Sequence, residues 1–268
     1  MQKQQKEELN KLFSSLETVV SEEEKLIVKK LLARFQGFSD WSKDHFERVG
    51  CMAEAFAKHL GASENAAKNL GLAATLHDVG KINIPKEIIN TKVPLGKEAF
   101  DKFFKPHAAD SIKILEKEFA NKNTAFAKVV IAMSADHHEK CNGSGYPLGK
   151  KEQDISIEGQ IASLCDVFDA MNYSRPYQKG HSQGDILCRM IDPENTNFTG
   201  AFNSDLLNKF VAFRISEYEK DKSKEDFPER LKMSEEERTK IGKYIADSIK
   251  KAISHSTVLE VALAKRVR

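Results

Sequence analysis

The sequence predicts an all-α protein, a helical bundle with further helices at both ends. Three observations carry this. Apolar residues recur at a spacing near 3.6 through most of the chain. The Val, Ile and Thr alternation that marks strands is almost absent. Helix-start and helix-stop residues bracket the periodic segments.

Taken in order, Leu9, Leu12, Phe13 and Leu16 predict a first amphipathic helix, and Leu26, Ile27, Leu31 and Leu32 a second. Ser21 followed by Glu24 forms a capping box at the start of the second. The pattern breaks between Gly37 and Asp40, and a third helix carries Phe46, Val49, Ala53, Phe56 and Leu60 on one face before Gly61 ends it. His45 sits in its first turn. Ser63 opens a fourth, whose small apolar face (Ala66, Leu70, Ala73, Ala74) runs to Leu76, leaving His77 and Asp78 at a helix end where Gly80 breaks the pattern. Further helices are predicted over Glu98 to Phe104, His107 to Phe119, Thr124 to His138, Glu158 to Asn172, Gln183 to Ile191 and Leu206 to Tyr218. The stretch Lys140 to Asp154, with Gly143, Gly145, Pro147 and Gly149, reads as a loop of the kind that carries function. From about Glu217 a dense Lys/Glu region with a break at Pro228 reads as a charged helical appendage.

A chain of 268 residues has room for one large domain with an appendage. With 42 Lys and Arg against 40 Asp and Glu, its net charge of +2 names no partner, and no nucleic-acid polymer is expected. No apolar run approaches the roughly 18 residues needed to span a bilayer. The polar start from Met1 to Asn10 lacks the apolar core of a secretory signal, so a cytoplasmic location is expected. Cys51, Cys141, Cys165 and Cys188 form no CxxC pair and read as reduced, mostly packed thiols.

Five of the eight histidines fall in a few contexts: His45, His77-Asp78, His107 and His137-His138-Glu139. Imidazole and carboxylate are a ligand set for Fe, Mn or Zn, and adjacent pairs at helix ends can point at two neighbouring metals. Asp166 adds a carboxylate on an apolar helix, where an unpaired one would be costly. A lone helix-end histidine is ordinarily a cap or a surface residue; the two adjacent pairs, on helices able to bundle, favour metal. His59, His181 and His255 keep the ordinary reading.

The run His77-Asp78-Val79-Gly80-Lys81, followed by His137-His138-Glu139 and then Asn142-Gly143-Ser144-Gly145-Tyr146-Pro147, resembles the HD-GYP family of cyclic-di-GMP phosphodiesterases, a branch of the HD metal-dependent phosphohydrolases. The resemblance extends in register from Asp44-His45-Phe46-Glu47-Arg48-Val49 through Asp166-Val167-Phe168-Asp169-Ala170-Met171 and Arg175-Pro176-Tyr177 to Phe202-Asn203-Ser204-Asp205-Leu206-Leu207. It implies an HD-type bundle over 37–216, between an N-terminal helical segment at 1–36 and the appendage at 217–268.

By the same resemblance His45, His77, Asp78, His107, His137, His138 and Asp166 are metal ligands, with Asp78 bridging two divalent ions. Iron or manganese suits the donor set, and zinc is compatible with it. The resemblance implies hydrolysis of cyclic-di-GMP to pGpG, and onward to GMP, by a metal-bridging hydroxide, with Asp78 and Lys81 catalytic. Lys81, Gly145, Tyr146 and Arg175 are the implied substrate contacts. Lys81 can offset charge on the phosphate, a tyrosine face can stack on a purine, and a guanidinium fork suits a phosphate. The Tyr146 loop is also the implied contact for partners such as diguanylate cyclase domains. Asp169 is open between orienting Arg175 or a helix end and touching metal.

Four departures stand out: Trp41 where members with a third metal carry Glu, Ser111 for the Gly of the middle-histidine motif, Asn142 for Asp ahead of the loop, and Gln178 for a basic residue. A two-metal site is therefore expected, with a looser loop and weaker substrate contacts. Two alternatives remain open: a cyclic-dinucleotide-binding signalling or adaptor protein with little turnover, and an HD phosphohydrolase acting on another nucleotide. Metal identity, end product and oligomeric state are not fixed by the sequence.

Overall fold

The computed structural model describes residues 3–35, 38–39, 42–173, 180–221, 223, 231–247 and 250. They form α1 (Lys3–Ser15), α2 (Glu22–Ala33), α3 (Ser42–His59), α4 (Glu64–Ala74), α5 (Lys86–Ile89), α6 (Lys97–Ala99), α7 (His107–Glu118), α8 (Ala125–Asp136), α9 (Ile157–Asn172), α10 (Gln183–Met190) and α11 (Ser204–Asp221). Two 3-10 helices, Val79–Asn83 and Glu152–Asp154, and a π-helix, Phe100–Phe104, lie between them. No strand occurs among the described residues, where an isolated antiparallel bridge pairs Asn142 with Lys151.

The helices begin where side chains satisfy otherwise orphaned backbone N–H groups. Ser21, Ser63, Thr124, Ser156 and Ser182 each accept from the N–H three residues on, and Ser21 with Glu24 completes the expected capping box. Each such cap contributes about 1 kcal/mol. Gly61 follows α3 with φ of 96°, a conformation that a side chain rarely adopts.

The chain divides into two compact units, Met1–His181 with Gly200–Leu207, and Ser182–Thr199 with Asn208–Arg268. In the first, α3 packs on α4 and α9, and α8 packs on the same two, so four helices close a ring. Its core holds Phe46, Val49 and Phe56 from α3, Leu70 and Ala73 from α4, Val130 and Met133 from α8, and Ile161, Leu164 and Phe168 from α9. The small face of α4 has a clear use. A Cβ on Gly71 would lie 2.8 Å from the Gly50 carbonyl oxygen, so α3 and α4 approach to backbone contact. Helix α7 packs on α8 and on Val79–Asn83, and α1 on α4 and α9. The N-terminal helices α1 and α2 are counted with the first unit. In the second unit Ile186, Leu187, Phe210, Val211 and Ile241 are buried, Arg214 donates to Gln183, and residues 235–247 are helical.

Three expectations need correcting. On α2, Leu26 is 64% exposed while Val28 is buried. The buried face is Glu24, Val28 and Leu31, an i, i+4, i+7 stripe fixed by Glu24, which receives hydrogen bonds from Ser21 and from Thr124 across the core. The helix expected over Glu98 to Phe104 is instead a single turn, α6, followed by the π-helix. Cys51 is exposed, so that thiol is not packed, whereas Cys165 is buried.

Candidate metal centre

The seven site residues come from five segments of the first unit. His45 lies in the first turn of α3, His107 opens α7, and Asp166 lies mid-α9. His137 is the C-cap of α8, with His138 next to it. Helix α4 ends at Ala74, so His77 and Asp78 sit in the turn that leads into Val79–Asn83. The backbone there is pressed against α7. A Cβ on Gly80 would lie 2.1 Å from the His107 carbonyl oxygen, and the Gly80 N–H donates to Ser111 Oγ at 2.8 Å. The Ser111 departure therefore supplies an acceptor that ties the Asp78 turn to the His107 helix.

The histidines are oriented from behind. The Nδ1–H of His77 donates to the Ala74 carbonyl at 2.8 Å, that of His107 to the Phe104 carbonyl, and that of His137 to the Ser134 carbonyl at 3.1 Å. His45 Nδ1–H donates to Asp169 Oδ2 at 2.7 Å. A carbonyl or carboxylate oxygen can only accept, so each of these Nδ1 atoms carries a proton and Nε2 is the nitrogen turned inward, the orientation that a metal-ligating histidine requires.

Those Nε2 atoms converge in two groups. His45, His77, Asp78 and Asp166 bring one ligand atom each within 4.8 Å of one another, and so do Asp78, His107, His137 and His138. Asp78 belongs to both, and its two oxygens divide between them. Oδ2 lies 3.1 Å from His77 Nε2 and 3.7 Å from His45 Nε2, whereas Oδ1 lies 2.9 Å from His107 Nε2 and 3.4 Å from His137 Nε2. Asp166 Oδ1 is 3.1 Å from His45 Nε2 and 3.6 Å from His77 Nε2. His107 and His138 face each other through Nε2 atoms 2.9 Å apart.

The residues fit divalent metals. His77 Nε2, His137 Nε2 and Asp78 Oδ1 are buried without a hydrogen bond of acceptable geometry, and such groups are costly unless something else satisfies them. Burial opposes charge throughout the pocket. At His77 the Asp78 and Asp166 carboxylates overcome it and raise the pKa to about 10. At Asp78 burial is outweighed by Lys81, His77 and His107, which hold its carboxyl well below the usual range. Asp166 is likewise held low, against burial, by its contacts with His45 and His77. Burial lowers His137, and burial with the neighbouring His137 and His107 holds His138 well below the usual imidazole value. These two imidazoles are neutral, as ligands must be. Lys81 is buried and forms a close ion pair with Asp78 Oδ2.

Tyr146 is half-buried, and one face of its ring is covered. Its ring stacks on His138, with centroids 4.5 Å apart, and its N–H donates to the His138 carbonyl. A Cβ on Gly145 would lie 2.5 Å from Glu139 Cα, so that glycine serves close approach to protein backbone. Asn142 Oδ1 accepts from the Ser144 N–H at 2.9 Å, so the loop is held without the expected aspartate. Arg175, Trp41, Gln178 and His255 lie outside the described residues. His59 and His181 belong to neither metal group.

Sequence reasoning missed three supports. Asp169 receives Arg48 through both oxygens, at 2.8 and 2.9 Å, as well as His45. The signal was spacing: Arg48 follows His45 by three residues and Asp169 follows Asp166 by three, so each shares a helix face with a candidate ligand. Glu139 accepts from the N–H groups of Leu148 and Lys150, which makes it the anchor of the Tyr146 loop and not a ligand. Asp136 receives Lys150 Nζ at 2.6 Å and the Ser156 N–H at 2.8 Å, fastening the other end of that loop.

A helical bundle that gathers five histidines and two aspartates into two groups sharing one carboxylate defines a protein built around a metal centre. Residues 16–198 match the HD domain model, and the chain belongs to the HD domain family. It is 38% identical over 134 residues to a cyclic di-GMP phosphodiesterase of Thermotoga maritima, covering 50% of this chain and 35% of that protein. It is 27% identical over 180 residues to a cyclic di-GMP phosphodiesterase of Pseudomonas aeruginosa (67% and 41%). Similarity extends to a 3'3'-cGAMP-specific phosphodiesterase of Vibrio cholerae, 30% identical over 149 residues (56% and 33%). The chain thus spans between a third and two fifths of the length of these relatives. No helix among the described residues is long and apolar enough to cross a membrane.

Proposed function

We propose that the chain is a metal-dependent phosphodiesterase that cleaves a cyclic dinucleotide, with cyclic di-GMP as substrate and pGpG, then GMP, as products. The observation that carries this reading is the division of Asp78, one oxygen to each four-residue group. A carboxylate can serve two metals at once, whereas each imidazole serves one. In this reading His45, His77, Asp78 and Asp166 hold one ion, and Asp78, His107, His137 and His138 hold the other. The hard and borderline donors, with no thiolate, suit iron or manganese. Bound there, such ions supply Lewis acidity toward phosphoryl oxygens and lower the pKa of water.

The protein's own part is positioning. The Nδ1–H bonds of His45, His77, His107 and His137 fix which nitrogen of these rings faces inward, so little reorganisation is needed on binding. Lys81 stands as a buried cation at Asp78, where it can hold a phosphoryl oxygen and offset charge that grows in the transition state. The Asp136 and Glu139 anchors keep the Tyr146 loop against His138, which shields one side of the centre from water. Partner binding through this loop would use its exposed Leu148.

The test is turnover of cyclic di-GMP and 3'3'-cGAMP by protein purified without oxygen and supplied with ferrous iron or manganese, with H77A/D78A as control. Metal-dependent pGpG or GMP that disappears in the control supports the reading. Absence of product from folded, metal-loaded protein contradicts it.

A further inference from the structure

We propose that the π-helix Phe100–Phe104 and the residue after it form the recognition wall for the dinucleotide, Phe100 offering a face to a purine and Lys105 a charge to a phosphate. This rests on the phosphodiesterase reading and names residues that neither the motifs nor the metal groups include.

The wall is fixed to the centre at its far end. The Phe104 carbonyl accepts from His107 Nδ1–H, and the Phe104 ring is buried with Ile84 and Ile89. Phe100 stacks on Phe104, with centroids 6.0 Å apart and rings 11° from parallel, and meets Tyr146 edge-on at 6.5 Å. Tyr146 in turn stacks on His138. A continuous line of rings therefore runs from His138 through Tyr146 to Phe100. Tyr146 is engaged by His138, whereas Phe100 keeps 38% of its surface exposed although it is a large apolar side chain.

The π-helix explains how Lys105 joins this line. In an α-helix two residues five apart point about 140° away from each other. Here the Lys105 N–H bonds to the Phe100 carbonyl at 3.0 Å, and the wider i→i+5 turn returns the two side chains toward one side. Lys105 Nζ accordingly lies 5.5 Å from the centroid of the Tyr146 ring that Phe100 also touches. Its protein partner is Asp101, 3.8 Å away, and both are 46% exposed. Such a pair is weak, and a phosphate can displace it. An aromatic face held by packing, beside a cation on the same side, suits a purine joined to a phosphodiester. Base stacking on an aromatic is sequence-tolerant and strong enough to matter.

The experiment compares kcat/KM for cyclic di-GMP with kcat/KM for bis(p-nitrophenyl) phosphate, a diester with no purine, in manganese-loaded wild type, F100A, F100W and K105Q, with bound metal measured in each. The proposal expects the ratio of the two to fall fivefold or more in F100A and in K105Q. In F100W, which restores an aromatic face, it expects recovery toward wild type. An unchanged ratio in F100A and K105Q overturns the proposal, as does a fall in F100W as deep as in F100A. Wild type that cleaves the simple diester but neither cyclic di-GMP nor 3'3'-cGAMP overturns the substrate reading itself, a result distinct from a failure of the variants alone.

Discussion

Asp169 accepts a hydrogen bond from His45 Nδ1 at 2.7 Å while receiving Nε and Nη2 of the Arg48 guanidinium, so one buried carboxylate orients a candidate ligand and is itself held by a fork. The same guanidinium lies 3.5 Å over the Tyr173 ring. Removing such a support costs metal affinity about 10–100-fold. D169A should lower manganese affinity by that factor in a calorimetric titration, with D169N intermediate because its amide oxygen can still accept from His45. Equal affinity in D169A and wild type would remove Asp169 from the support of the site.

Gly80 and Ser111 make a second testable contact. In S111A the buried Gly80 N–H loses its acceptor, at a cost of about 1–3 kcal/mol. In G80A the new methyl would meet the His107 carbonyl and the Ser111 N–H, and overpacking of this kind costs about 1–3 kcal/mol. Chemical denaturation should show both losses. G80A should also weaken metal binding, because it pushes the Asp78 turn away from His107; tight metal binding by G80A would contradict that coupling.

Glu158 gives a pH dependence away from the metal groups. Burial, with Asp136 and Glu8 nearby, raises its pKa above the usual carboxylate value. The folded state then holds the proton more tightly than the unfolded state, so this contribution to stability is present at low pH and is lost as pH rises above about 4.5 through the raised value. E158Q should therefore raise Tm at pH 7, with the gain shrinking toward pH 4. A gain that is the same at both pH values would show that Glu158 is not shifted.

Ligand removal should register as stability. A metal bound at a thousand times its Kd stabilises the folded state by about 4 kcal/mol. Chelation should lower the Tm of the manganese-loaded protein by several degrees, and manganese should restore it. H77A/D78A should show no such response.

Much of this architecture was legible in the sequence because it is local. Caps such as Ser21 and Ser63, the 3.6-residue period of α3 and α4, and the adjacent His-Asp and His-His pairs are all visible within a few residues. What stayed hidden depends on distant partners. Arg48 and Asp169 meet across 121 positions of sequence, and Glu24 faces inward because Thr124 waits for it across 100. The π-helix was also invisible, since its side-chain pattern is that of an ordinary helix and only its hydrogen bonding differs. Tyr146 was identified from its motif, but its stacking on His138 depends on a helix end that the local sequence does not show.

The most direct test is metal stoichiometry, measured by elemental analysis of protein loaded with manganese and freed of excess, for wild type, H45A, H138A and D78A. With Asp78 shared between two groups, wild type should hold two ions per chain, H45A and H138A should each keep one, and D78A should keep neither. One ion in wild type, or two retained in D78A, would contradict a centre built around a shared carboxylate.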